Sequence, residues 1–129
     1  MTYLFKRIVQ FWKTLVTLIV IMTLCLIPSS EIQKIDLLKF NYEDLVVHLI
    51  MFTFFSSVLF HDLQRSPLQI HSIAVTSAWV LTACILLGIL TEMLQYVLVS
   101  LNRSASFTDF IFDLTGATLG IVYMRFIRR

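Results

Sequence analysis

His48, Glu92, Asp109 and Asp113 are the side chains in this 129-residue sequence best suited to chemistry, and each lies near or inside a long apolar run. Ionisable groups in such segments are rare, energetically expensive and by default functional. A histidine and a carboxylate whose surroundings set their protonation apart can act as general base and general acid. His48, Glu92 and Asp109 are therefore the catalytic candidates. Gln95 lies three residues after Glu92 and shares its helical face, while Asp113 follows Asp109 by one helical turn. Arg103, between the two carboxylate-bearing runs, could hold a phosphate or carboxylate bidentately. These three are expected to bind substrate. No nucleophile stands out, because Ser104, Ser106 and Thr108 are ordinary for a helix-capping loop.

The elements that must position these groups are membrane spans. The chain is 58% hydrophobic and 14% charged, against just under half and about one quarter in soluble domains. A bilayer core takes roughly 20 apolar residues as a helix, and four stretches approach that length: about 8–27, 45–60, 72–99 and 107–124. The second is short and has room to begin a turn earlier, near Tyr42. An all-α bundle of four transmembrane helices in a single domain, residues 1–129, is the expected fold. The first segment resembles a signal peptide in its flanking charges, but "LIPSSEIQ" offers no small-residue cleavage pattern, so a retained span is expected. Cys25 and Cys84 both fall within spans, so a disulfide cannot be argued from them.

Orientation follows from Lys and Arg in the short flanks. Lys6, Arg7, Lys13, Arg65, Arg125, Arg128 and Arg129 share one side if the helices alternate, and Lys34, Lys39 and Arg103 share the other. Both termini are thus expected in the cytoplasm, in a multi-pass protein of a bacterial inner membrane. His48, Glu92, Asp109 and Asp113 then converge toward the outer face. Behind Glu92 and Gln95 on the same helical face come Gly88, Cys84 and Ser77. Asp109, Asp113, Gly116 and Gly120 form a second stripe, spaced four, three and four. Small residues on such stripes let helices approach closely, so Gly88, Gly116 and Gly120 are assigned to packing.

Plainer readings exist for several of these residues. Ser106-x-x-Asp109 matches a capping box, and a carboxylate in a first turn complements the helix dipole. Arg103 could serve only to neutralise Glu92 or Asp109. His61, Asp62 and His71 read as solvated loop residues, and Trp12, Tyr42, Tyr96 and Tyr123 as an interfacial aromatic belt. The small positive charge is accounted for by topology and calls for no nucleic acid. No C-x-x-C, H-E-x-x-H or Gly-rich phosphate loop is present, so the spacings imply no metal and no cofactor.

Four segments together carry a resemblance. "CLIPSS" closes the first span, "EDLVVHLIMFTFF" opens the second, "GILTEMLQY" closes the third and "NRSASFTDFIFDLTGATLG" opens the fourth. In order and spacing they resemble the VanZ-like family of integral membrane proteins. By position, the resemblance implies motif roles for Asp44, His48, Glu92, Gln95, Arg103, Asp109, Gly116 and Gly120, adding Asp44 to the substrate-binding candidates. Two positions depart from the family pattern: Leu45 stands where Lys is usual, and Asp113 where Asn is usual. Both departures make the site more acidic. The founding members are associated with resistance to teicoplanin-type glycopeptide antibiotics, but family membership alone does not fix a function.

Two classes of function are compatible with these residues. One is an enzyme of the outer leaflet acting on lipid-linked cell-envelope or cell-wall precursors, which combine an apolar tail with an anionic head. The other is a non-catalytic binding, accessory or structural subunit whose polar cluster holds a headgroup or only the helices. Membrane lipids are the expected partners in either case. Gly116-x-x-x-Gly120 serves packing within one chain or between copies in a homo-oligomer equally well.

Overall fold

A computed structural model describes residues 10–27, 43–65, 72–98 and 106–127. These contain four α-helices and, among the described residues, no strand: α1 (Trp12–Cys25), α2 (Glu43–Arg65), α3 (Ile73–Val97) and α4 (Phe107–Ile127). The last three are long and apolar enough to cross a membrane, whereas α1 is a shorter apolar helix. The expected all-α, multi-span architecture is therefore what the chain adopts.

The helix bounds differ from the expected spans mainly at α2, which continues past Phe60 to Arg65. Hydropathy falls there, yet the helix persists because its polar residues turn inward. Asp62 is only 4% exposed and accepts hydrogen bonds from the Thr14 hydroxyl at 2.8 Å and the Thr14 N–H at 3.4 Å. Gln64 donates to the Thr76 hydroxyl at 2.5 Å. Asp62 is thus not a solvated loop residue. Its carboxylate sits at the N-terminal turn of α1, where Phe11 provides no side-chain cap, and satisfies a backbone donor there. His61 lies beside it, 3.3 Å from Asp62 Oδ1. His71 falls outside the described residues.

α4 packs chiefly on α2 and then on α3, while α1 leans mainly on α2. Gly116 and Gly120 make the α2–α4 contact possible. A Cβ added at Gly116 would fall on the Leu49 carbonyl oxygen, and one at Gly120 on the Thr53 carbonyl oxygen and the Ser56 hydroxyl. The facing stretch of α2 keeps small polar side chains tied to its own backbone. Thr53 Oγ1 donates to the Leu49 carbonyl at 2.7 Å, and Ser57 Oγ to the Thr53 carbonyl at 2.8 Å. Below this contact Phe52, Phe55, Phe60, Val80, Cys84, Ala117 and Ile121 form the apolar core. Only 28–33% of each long apolar window is buried inside the bundle, leaving a perimeter of Ile, Leu, Val and Phe for lipid. Trp12, Tyr96 and Tyr123 are exposed on that perimeter, as an aromatic belt requires.

Candidate functional site

Three helices bring one polar side chain each to the same end of the bundle. His48 stands in the second turn of α2, Glu92 in the penultimate turn of α3 and Asp113 in the second turn of α4. His48 and Asp113 are 1% and 0% exposed, and the His48 Nδ1 lies 2.8 Å from Asp113 Oδ1. The aspartate fixes the ring as the orienting carboxylate of a general base does. Asp113 reaches this position because Gly116 and Gly120, on the same stripe of α4, draw that face against α2.

Glu92 completes the group: one ligand-type atom each from His48, Glu92 and Asp113 can be chosen so that all lie within 4.8 Å of one another. Glu92 is half-buried. Its Oε2 accepts the Ser106 backbone N–H at 2.7 Å, which places the carboxylate at the start of α4. Ser106 Oγ in turn accepts the Thr108 N–H at 3.2 Å. Ser106 is therefore the N-cap that the sequence signals, but Glu92 of α3 fills the reciprocal role the capping box gives to Asp109. Among the described residues, Glu92 Oε1 and Asp113 Oδ2 are buried with no hydrogen-bond partner. Gly88 leaves room beside Asp113 Oδ2, since a Cβ there would approach that oxygen to 3.2 Å and the Phe110 ring to 3.1 Å.

The other candidates take distinct places. Gln95 is buried, and its amide donates to the Cys25 carbonyl at 3.1 Å, tying α3 to the end of α1. Asp109 is half-buried in the first turn of α4, outside the group of three. Asp44 is exposed in the first turn of α2. Arg103 lies outside the described residues. Asp113, expected to bind substrate, is the carboxylate that meets His48, in the place expected for the catalytic candidate Asp109. Asp62 is a buried polar residue that the sequence reading missed; the signal that could have found it is helical periodicity, because Phe52, Phe55, Leu59 and Asp62 share one buried face. No sequence signal marks the Ser106 N–H as the partner of Glu92.

Beside the cluster, a surface groove of about 420 Å³ runs between α3 and α4, lined by Ile89, Glu92, Met93, Ser106, Phe107 and Phe110. Ile89, Met93 and Phe107 are exposed, so the groove opens on the apolar perimeter of the bundle. Glu92 belongs both to this wall and to the buried group.

The sequence pattern of the VanZ/LLP1 family matches residues 4–128. The chain belongs to the VanZ/LLP1 family. No curated protein and no solved structure matches it at a significant level. Within this VanZ/LLP1 chain the motif positions His48 and Glu92 meet across α2 and α3, and Gly116 and Gly120 seat α4 on α2. Asp113 lies at the centre of the cluster, in direct contact with His48.

Proposed function

We propose that this VanZ/LLP1 protein receives the polar head of a membrane amphiphile at the His48–Glu92–Asp113 cluster and processes it by acid–base chemistry. The observation that carries the reading is the double position of Glu92, which lines the groove on the apolar perimeter and belongs to the buried group. An apolar tail lying along Ile89, Met93 and Phe107 would bring its head to Glu92 without leaving the bilayer. Lipid-linked cell-envelope precursors of a bacterial inner membrane fit this shape, with the cluster opening toward the outer leaflet. His48, oriented by Asp113, is the base, and Glu92 is the acid at the groove. Arg103 is the sequence's candidate to meet the anionic head. Ser106 uses its hydroxyl oxygen in capping α4, so water is the expected attacking group if the reaction is a hydrolysis. A connection with glycopeptide resistance would follow only if the amphiphile is a cell-wall precursor.

A second reading has its own support. The bonds from Glu92 to Ser106 and from Gln95 to Cys25 hold three helices in register, as a purely structural cluster would. Glu92→Gln separates the two, because its amide oxygen can still accept the Ser106 N–H while the acid is lost. Cells making the variant should accumulate one lipid-linked envelope intermediate relative to wild type, read by mass spectrometry of lipid extracts. A photoreactive residue at Met93 should cross-link that same lipid. Identical lipid profiles, with cross-linking only to bulk phospholipid, would overturn the processing reading and leave the structural one.

A further inference from the structure

Each carboxylate of the cluster is held by one oxygen and free at the other. Glu92 Oε2 takes the Ser106 N–H and Asp113 Oδ1 takes the His48 ring. Glu92 Oε1 and Asp113 Oδ2 are buried and, among the described residues, without a partner. An unpartnered carboxylate oxygen in a low-dielectric interior is strongly unfavourable, and here two belong to one group. One ligand-type atom each from His48, Glu92 and Asp113, on three helices, can also be chosen so that all lie within 4.8 Å. Gly88 keeps open the volume next to Asp113 Oδ2 that a side chain at position 88 would enter.

We propose that His48, Glu92 and Asp113 bind one divalent first-row transition cation, with Zn2+ as the best fit to one imidazole and two carboxylates. A tetrahedral ion about 2.0–2.2 Å from each donor holds the donors roughly 3.5 Å apart, so the side chains close slightly around it. The Ser106 N–H on Glu92 Oε2 acts as an outer-shell contact that orients a metal ligand, and the direct His48–Asp113 contact gives way to the shared ion. The sequence could not show this site, because its donors are 44 and 21 residues apart and follow no metal-binding spacing. Asp113 supplies the third strong donor, which a neutral amide at this position would not. Three protein ligands leave a coordination position open. Resting on the lipid-binding part of the function proposed above, with His48 and Glu92 holding the ion in place of acting as free base and acid, that position takes an anionic headgroup oxygen, which two bare carboxylates would repel.

The test uses the full chain without a polyhistidine tag, in lipid nanodiscs and stripped with chelator. Co2+ is titrated by absorbance, and Zn2+ by its displacement of Co2+. Wild type should bind one ion per chain and give d–d bands without a thiolate charge-transfer band, since neither Cys84 nor Cys25 is a ligand. Glu92→Gln and Asp113→Asn, checked for unchanged helicity, should each weaken binding at least about 100-fold, while His61→Gln at the far end should not. Failure of folded wild type to bind either ion, a thiolate band, or affinity unaffected by both carboxylate substitutions would each overturn the site. Metal binding with an unchanged lipid profile in the Glu92→Gln cells would retain the site and remove the lipid function. Lipid accumulation without metal binding would do the reverse.

Discussion

Glu92 contributes to this bundle through two oxygens with different tasks, and substitutions can tell them apart. Oε2 satisfies the Ser106 N–H at the start of α4, while Oε1 is buried with no partner among the described residues. Glu92→Ala removes both, so it should lose the stabilisation of a helix cap, about 1–2 kcal/mol. Glu92→Gln keeps a cap acceptor and should cost less than about 0.5 kcal/mol by the same reasoning. Thermal or denaturant unfolding in nanodiscs checks the order, and equal losses would mean that the cap is not what Glu92 supplies. At this scale the sequence was readable in part. The polar residues inside apolar runs were evident, as was the face each occupies. Their pairing was not, because His48 and Asp113 are 65 residues apart and helical periodicity fixes a face without naming what lies opposite. The partner of Glu92 was less legible still, being a backbone N–H that every non-proline residue carries.

At the scale of elements, the same device appears at both ends of the bundle. α1 begins under the Asp62 carboxylate of α2, and α4 begins under the Glu92 carboxylate of α3. Each helix start is thereby held by a neighbouring helix, which fixes register where apolar surface alone permits sliding. Between those ends the glycines set the distance. Gly116 and Gly88 are both on predicted packing stripes, but their surroundings differ. A Cβ at Gly116 meets the backbone of α2 at Leu49 and Thr53, which cannot rotate away, whereas at Gly88 it meets the ends of the Phe110 and Asp113 side chains. Gly116→Ala should therefore destabilise by about 1–3 kcal/mol, as overpacking does, and loosen the His48–Asp113 contact. Gly88→Ala should cost less in stability, but it intrudes beside Asp113 Oδ2 and should weaken cation binding more than it lowers the melting temperature. Measuring both quantities for both variants tests the contrast, and an inverted order would show that α2 and α4 are not in backbone contact. The sequence pattern identified these stripes because glycine spacing is local. It placed the end of α2 too early because hydropathy cannot distinguish a polar residue facing solvent from one facing Thr14 or Thr76.

For the whole molecule, the direction of insertion decides which compartment the cluster meets. The helices fix only that His48, Glu92 and Asp113 lie at one end, with Asp62 and Thr14 at the other. The direction comes from charge. Lys13 and Arg65 flank the Asp62 end and Arg125 closes α4 on that side, adding to Lys6, Arg7, Arg128 and Arg129 in the tails. Lysine and arginine near span ends are retained on the cytoplasmic side, so that end and both termini should face the cytoplasm. Alkaline phosphatase, which folds only where disulfides form, should be inactive when fused after Arg129 and active when inserted in the α3–α4 connection. A fluorescent protein that matures only in the cytoplasm should give the opposite pattern at the two positions. Active phosphatase at the C-terminus would place the cluster at the inner face. The cation site would stand, since it depends on three side chains and not on direction. An outer-leaflet precursor as its amphiphile would not, because its headgroup would be on the other side of the bilayer.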